Sequence, residues 1–330
     1  MIQSNMLRRA PLVRRAACGL ALSLMVFGVA ALACLGYSEH ENSTEVAAST
    51  RAQLRASLGR ASAWIDHNRS AVLHENNFML WLFVREAARL AGDPQLGSLA
   101  DEYRAASTNG TIAQFVFDST GVEALRGANL ALSDDWQGYQ RLFVYGATCN
   151  IPLRFDPEVL EMMSPSACEA GHAWLRNPWC RTHQLMGLRF VQKNHCEPDE
   201  ETVRTIEGVQ AGILSELKWD FRVEDAYLQK VWTLVESGRR NEIKAVWVRR
   251  ILEAQQADGG WTGAHVILPL PAGRAIFWSG SLIPHVGVPP ASNFHATAQG
   301  LYLMALLLND GVRSEPEPIA AGIRGPTPAR

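Results

Sequence analysis

The sequence predicts an all-α fold, an array of helical hairpins interrupted by one long Gly/Pro-rich loop near 258–293. Three observations predict it: a repeated way of starting helices, apolar residues recurring at intervals of three and four, and a composition rich enough in apolar residues to build a core. The starts place an oxygen-bearing residue before proline, at Asp93-Pro94, Asp156-Pro157, Ser164-Pro165, Asn177-Pro178 and Glu197-Pro198. Proline suits the first helical position because its missing N–H had no partner there, and the preceding side chain can cap the next free donors. Between the starts, Phe78, Trp81, Leu82, Arg85 and Ala88, or Val231, Leu234 and Val235, follow the helical rather than the strand period. The chain of 330 residues is 47 % hydrophobic, which supports a substantial core.

Helices are expected near 46–69, 76–91, 94–106, 121–132, 135–147, 165–175, 178–194, 199–217, 223–237, 241–256 and 293–309. About eleven helices alternating in direction make a closed or solenoidal array. The loop near 258–293 carries glycines, prolines and short apolar pieces such as Val266-Ile267-Leu268, which fit a short strand or turn. Loops of that length inside compact domains are often functional. The tail over 314–330 contains Glu315-Pro316-Glu317-Pro318 and reads as disordered.

At the N-terminus, Arg8, Arg9, Arg14 and Arg15 precede an uncharged apolar run from Ala16 to Gly36. Basic residues followed by such a run make residues 1–36 a signal peptide or membrane anchor, with the bulk of the chain translocated. The helical domain is expected over 45–310, exported to a periplasmic or extracellular location. Ala31-Leu32-Ala33 offers small residues for cleavage, Cys34 is a position for a lipid, and Arg14-Arg15 is a twin-arginine feature. Without the first 33 residues the chain loses four arginines and holds 27 basic against 33 acidic residues. That balance supplies no basic footprint for nucleic acid.

Leu252-Glu253-Ala254-Gln255-Gln256-Ala257-Asp258-Gly259-Gly260-Trp261 resembles the Gln-Trp repeat end of the terpenoid cyclase and prenyltransferase-like α/α-toroid superfamily. Phe294-His295-Ala296-Thr297-Ala298-Gln299-Gly300-Leu301-Tyr302 is similar to the inner helix that follows such a turn there, and Cys180–Leu188 resembles Thr-His helices of some bacterial toroid proteins. The resemblance implies a toroid in which a glycine turn follows a helix and the Trp packs back on the helix pair. It implies no chemistry, since the Asp-x-Asp-Asp run, the Asp-x-Cys pair and the Gly-Cys-Gly-Glu-Gln thioester of catalytic members are all missing from this sequence.

Setting Cys18 and Cys34 aside leaves Cys149, Cys168, Cys180 and Cys196. An even count outside the cytosol favours two disulfides. A helix between Cys180 and Cys196 would hold them about 24 Å apart, which disfavours one of the three pairings. Of the other two, Cys168 with Cys180 across the turn at Asn177-Pro178, and Cys149 with Cys196, is preferred. The competing expectation is a zinc site from Cys168, His172, Cys180 and His183, whose spacings of four and three put each pair on one helix face.

In a toroid, the starts of alternate inner helices would line one cavity, so His183 and His295 could face each other there. With Asp258 they form an expected catalytic set for acid and base work near neutral pH. Trp179, Trp261, His265 and Trp278 are the expected substrate-binding residues, since indoles suit sugar or apolar faces. The expected ligand is a small molecule or carbohydrate. From another class, the same chain reads as a non-catalytic envelope scaffold that binds a partner and is stapled by its disulfides.

Overall fold

The computed structural model describes residues 25–106 and 125–309, apart from 27, 30, 31, 34, 76, 131, 133, 134, 170–176, 221, 281 and 282. The expected tail over 314–330, Cys18, Cys34, His172 and Trp174 lie outside the described residues. The structure is mainly helical. Its principal helices are α1 (Arg51–His67), α3 (Phe78–Ala91), α4 (Pro94–Ala106), α5 (Gly138–Thr148), α7 (Pro157–Met163), α8 (Cys180–Lys193), α9 (Asp199–Trp219), α10 (Asp225–Glu236), α11 (Ala245–Glu253) and α12 (Phe294–Leu308). Two single turns, α2 (Arg69–Val72) and α6 (Ile151–Arg154), lie between them.

Local chemistry explains most starts. Asp156 accepts from the amides of Glu158 and Val159 ahead of Pro157, and Asp93 accepts from Gln95 and Leu96. Asn77 caps α3, Asn293 caps α12, and Thr50 with Gln53 forms a reciprocal capping box that starts α1 at Arg51 rather than near 46.

Contacts between helix starts show five helices running in one direction. Tyr139, second in α5, stacks on His183, fourth in α8. Thr182 bonds Gln229 of α10, Asp225 at the start of α10 meets His295 at the start of α12, and Phe294 meets Trp81 near the start of α3. The neighbours are therefore α5, α8, α10, α12 and α3, in that order. Phe83, Trp232 and Tyr302 pack together further along α3, α10 and α12. Every residue from Ala226 to Val235 is buried, so α10 lies deep in this layer.

Outer helices run the opposite way. Arg51 at the start of α1 donates to the Leu308 carbonyl at the end of α12, and Arg181 at the start of α8 pairs with Glu216 near the end of α9. Close approach of α5 and α8 depends on glycine. A Cβ on Gly187 would fall 2.5 Å from the Leu142 side chain, and one on Gly146 would fall 2.9 Å from the Gly187 carbonyl oxygen.

Two expected helices are corrected in their described parts. The helix expected at 165–175 is absent over 165–169, which forms turns. Gln184 Nε2 donates to the carbonyls of Met162 and Ser164, and the Cys168–Cys180 disulfide ties the same stretch to α8, so the chain is held out of helical register. Of the helix expected at 121–132, residues 121–124 lie outside the described residues and Leu125 is helical, but 126–128 form a turn, where Asn150 Nδ2 donates to the carbonyls of Leu125 and Ala128. A helical stretch over 35–43, ahead of the expected domain start at 45, docks on α9 and α11. There Ser38 donates to the Trp219 carbonyl, while buried Asn42 donates to the Lys218 carbonyl and accepts from Trp247 and Arg250.

The loop near 258–293 forms a three-stranded antiparallel sheet, β1 (His265–Pro269), β2 (Ala275–Trp278) and β3 (His285–Gly287), with β2 central. The apolar piece Val266-Ile267-Leu268 lies in β1, where the register slips between Val266 and Leu268. Ala264, Ala275 and Phe277 give the sheet a small core of its own. Among the described residues, no helix is long and apolar enough to cross a membrane.

Candidate functional site

The polar residues that converge do so on α10. Asp225 and Gln229 are four apart, hence on one face, and each holds a histidine from a flanking helix. On the α12 side, His295 Nδ1 lies 3.0 Å from Asp225 Oδ2 and 3.2 Å from Gln299 Nε2. Gln299 is oriented by Trp232, whose indole N–H can only donate and does so to Gln299 Oε1 at 3.2 Å. A bond to a carboxylate is the stronger of the two, so Nδ1 carries the proton that Asp225 accepts, and the Gln299 amide N–H, itself a donor, makes no hydrogen bond to that nitrogen. The lone pair of His295 Nε2 then has no hydrogen-bond partner among the described residues.

On the α8 side, Gln229 Nε2 lies 3.4 Å from His183 Nε2, and Gln229 Oε1 lies 2.5 Å from the Thr182 hydroxyl. In that amide orientation Gln229 donates to His183 Nε2, so the neutral imidazole carries its proton on Nδ1. His183 Nδ1 is buried and unpartnered among the described residues. Tyr139 stacks on the ring at 4.2 Å and Phe143 meets its edge. Burial, reinforced by repulsion from a protonated His295 and opposed by Asp225, lowers the His183 pKa to about 4. At neutral pH this histidine is an uncharged hydrogen-bonding group.

Glu224 adjoins Asp225 and reaches the loop, its Oε2 accepting from the Gly280 amide at 3.2 Å while its buried Oε1 has no partner among the described residues. Burial raises its pKa to about 7, against the Gly280 hydrogen bond and the Arg222 charge. Gly263 passes beside Asp225, where a Cβ would fall 3.9 Å from the carboxyl carbon. The loop thus touches the starting end of α10 at both acidic residues.

Of the expected catalytic set, the structure brings His183 and His295 together and leaves Asp258 out. Asp258 accepts from Gly260, Ser292 and Trp64. Burial alone would raise its pKa, but these hydrogen bonds outweigh burial and lower it, so its role is to fasten a turn. Trp261 is also corrected. It is 1 % exposed, donates to the Ile251 carbonyl and lies against Gly300, so it packs α11 on α12 and offers no face to a ligand. The left-handed residue of this turn, Gly259, comes after α11 has already ended at Glu253.

His265 and Trp278 stack on each other at 6.0 Å at the base of the sheet, where burial lowers the His265 pKa against the pull of Asp220. They form a separate pair from the two imidazoles on α10. Trp179 is half-buried directly before α8, its carbonyl oxygen 2.8 Å from the Thr182 hydroxyl. The zinc set is replaced by the bond it competed with, because Cys168 and Cys180 are joined at a Cα separation of 5.8 Å and Cys149 joins Cys196 at 4.9 Å. Thiols bonded to each other are not thiolate ligands. No cluster of three or more metal-binding side chains occurs among the described residues.

Asp225, Gln229, Gln299, Tyr139 and Glu224 are not among the residues singled out from sequence. The available signal was spacing: His295 and Gln299 lie four apart on one helix, as do Asp225 and Gln229 on another. A surface hollow of about 260 Å³ between Arg141, Asn150 and Asp156 is lined by none of them. Comparison of the chain with protein-family models, curated proteins and solved structures gave no match.

Proposed function

We propose that this chain is an exported enzyme of α/α-toroid architecture that moves a proton between His295 and a carbohydrate or other cell-envelope molecule. The single observation that carries the reading is the meeting of two differently prepared imidazoles on α10. His295, with Nδ1 held by Asp225, presents a basic Nε2. His183 stays neutral and holds a buried, unpartnered Nδ1–H as the donor that would steady charge developing on the substrate as the proton leaves. Trp179 and Tyr139 supply flat faces nearby. The toroid reading is supported by five parallel inner helices, by outer helices running against them, and by Trp261 folding back after its glycine turn. Export is supported by two disulfides, which persist in oxidising compartments, and by the basic and apolar N-terminus.

The test has two arms. Purified chain is incubated with envelope oligosaccharides and the products are read by mass spectrometry. Turnover is expected from the native chain and is expected to vanish in His295→Ala and His183→Ala at unchanged helical circular dichroism; equal turnover in both variants removes the catalytic roles. Independently of substrate, proton NMR should show His183 titrating near pH 4, and His295→Ala should move that midpoint upward by removing a repelling charge. A midpoint that stays in place would mean the two rings are not electrostatic neighbours.

A further inference from the structure

The sheet over 265–287 is an exposed apolar surface without the usual protection. Edge strands of soluble proteins normally carry lysines or other charges that discourage contact. Here Gly259–Asn293 contains no Asp, Glu or Lys and a single cation, Arg274. Val266, Ile267 and Leu268 of the edge strand β1 are all exposed, and on the other side Ile283, Val286 and Val288 are 75 %, 60 % and 74 % exposed. Contiguous apolar surface of this kind marks an interaction site.

The N-terminal segment indicates what covers it. Val29 and Leu32 are 62 % and 70 % exposed on a helical stretch that leads into the docked residues Ser38 and Asn42. Only six residues separate Leu32 from Ser38, about 9 Å of helix. Arg250 connects the two surfaces: it donates to Asn42 at 2.7 Å, and its charge acts on His265, the first residue of β1. Asp220, which follows the segment's anchor at Trp219, also acts on His265. The apolar run and the apolar sheet therefore leave the body beside each other.

We infer that the sheet is a membrane-docking face, seating Val266–Leu268, Ile283, Val286 and Val288 in the outer part of the same bilayer that takes the N-terminal run. Arg274 at the hairpin turn suits anionic headgroups, and Trp278 is a residue type that collects at the membrane interface. The inference rests on reading residues 1–36 as a membrane segment. Because Gly280 and Gly263 touch Glu224 and Asp225, a docked sheet would place the starting end of α10 next to the lipid surface.

The test uses the full chain carrying Cys18→Ser and Cys34→Ser, with Val286→Cys labelled by a polarity-sensitive fluorophore and reconstituted in phosphatidylethanolamine and phosphatidylglycerol vesicles. Flotation reports attachment, and nitroxides on the acyl chains report depth. A blue-shifted, nitroxide-quenched emission at residue 286 is expected, with the same label at Glu207→Cys staying aqueous and unquenched; Ile283→Cys serves as a second reporter. Vesicle-bound chain with an aqueous, unquenched label at 286 and 283 overturns the docking face alone. Chain that does not float overturns the membrane reading of the N-terminus as well. A label that shifts with protein concentration in the absence of lipid assigns the face to a second copy and also overturns the proposal.

Discussion

Two polar groups share α10 and are treated in opposite ways. Around Lys230, which is fully buried, each charge lies beside an opposite one: its Nζ donates to Asp220 at 2.9 Å and lies 3.3 Å from Glu216 Oε2, an ion-pair contact without a hydrogen bond, Asp220 also takes Arg222, and Glu216 also takes Arg181. Burial would raise the Asp220 pKa, yet Lys230 and Arg222 outweigh it and hold the carboxyl below its usual range. Around Asp225 and Gln229 the accounts stay open, with His183 Nδ1 and Glu224 Oε1 buried and unpartnered among the described residues. A closed set of charges holds a fold together. Unanswered polar atoms beside it are where a protein keeps capacity for something else.

The difference can be broken most forcefully at Lys230. Lys230→Ala removes the cation that Asp220 and Glu216 share, leaving each buried carboxylate with one arginine, Arg222 and Arg181, and should cost about 3–5 kcal/mol in urea unfolding. A loss below ~1 kcal/mol would show that the network is not what secures this part of the layer.

Acid sharpens the comparison next. The folded His183 pKa of about 4 lies below the ordinary 6.5, so between those values the unfolded chain takes up a proton that the folded chain refuses. Stability from this group is complete above pH 6.5 and lost as pH falls toward 4, by about 3 kcal/mol in total. Glu224 acts with the opposite sign, because its raised value near 7 favours the fold at low pH and that contribution fades as pH rises from 4.5 through 7. The measurement is therefore a difference: the melting temperature of His183→Gln should fall less steeply with acid than that of the native chain, and parallel curves would refute the burial of a neutral His183.

A smaller effect is expected at the contact that positions His183. Gly187→Ala would push a Cβ into Leu142 and should cost about 1–3 kcal/mol while displacing α8 against Tyr139. The pairing of α5 with α8 would prove softer than described if the variant unfolded with the native midpoint. Smallest of all in stability is His295→Ala, expected within about 0.5 kcal/mol because the residue is part-exposed, while turnover is lost. A large destabilisation there would place His295 with the structural charges rather than with the site.

Much of the helical frame was legible because its signals are local. Proline after a capping residue, an Asn or Thr at an N-cap, and apolar spacing of three and four act within a turn or two, as Asp156-Pro157 and Asn293 show. The same signal misled at Ser164-Pro165, where a disulfide and Gln184 override local preference. The disulfide pairings followed from two local features, a helix too long to let Cys180 reach Cys196 and a turn at Asn177-Pro178 that brings Cys168 to Cys180. The sheet was legible only as short apolar pieces, since its strands are three to five residues long and only the four residues of β2 alternate in burial.

The candidate site divided along a similar line. His183 and His295 were found because histidine near a helix start is chemically conspicuous, but Asp225 and Gln229 are ordinary residues whose meaning appears only when α8 and α12 flank α10. Asp258 and Trp261 drew attention for a good reason, a distinctive turn, and turned out to build that turn.

The Cys149–Cys196 bond sits at the trailing ends of α5 and α8, whereas Tyr139 and His183 face each other near the leading ends. It works as the rivet of a pair of tongs. Relative swing between the two rods is confined to rotation about that rivet, and the jaws, roughly 15 Å away along α5, sweep the widest arc. Exchange of a guest beside His183 could therefore proceed by parting Tyr139 from the imidazole while the handles stay shut.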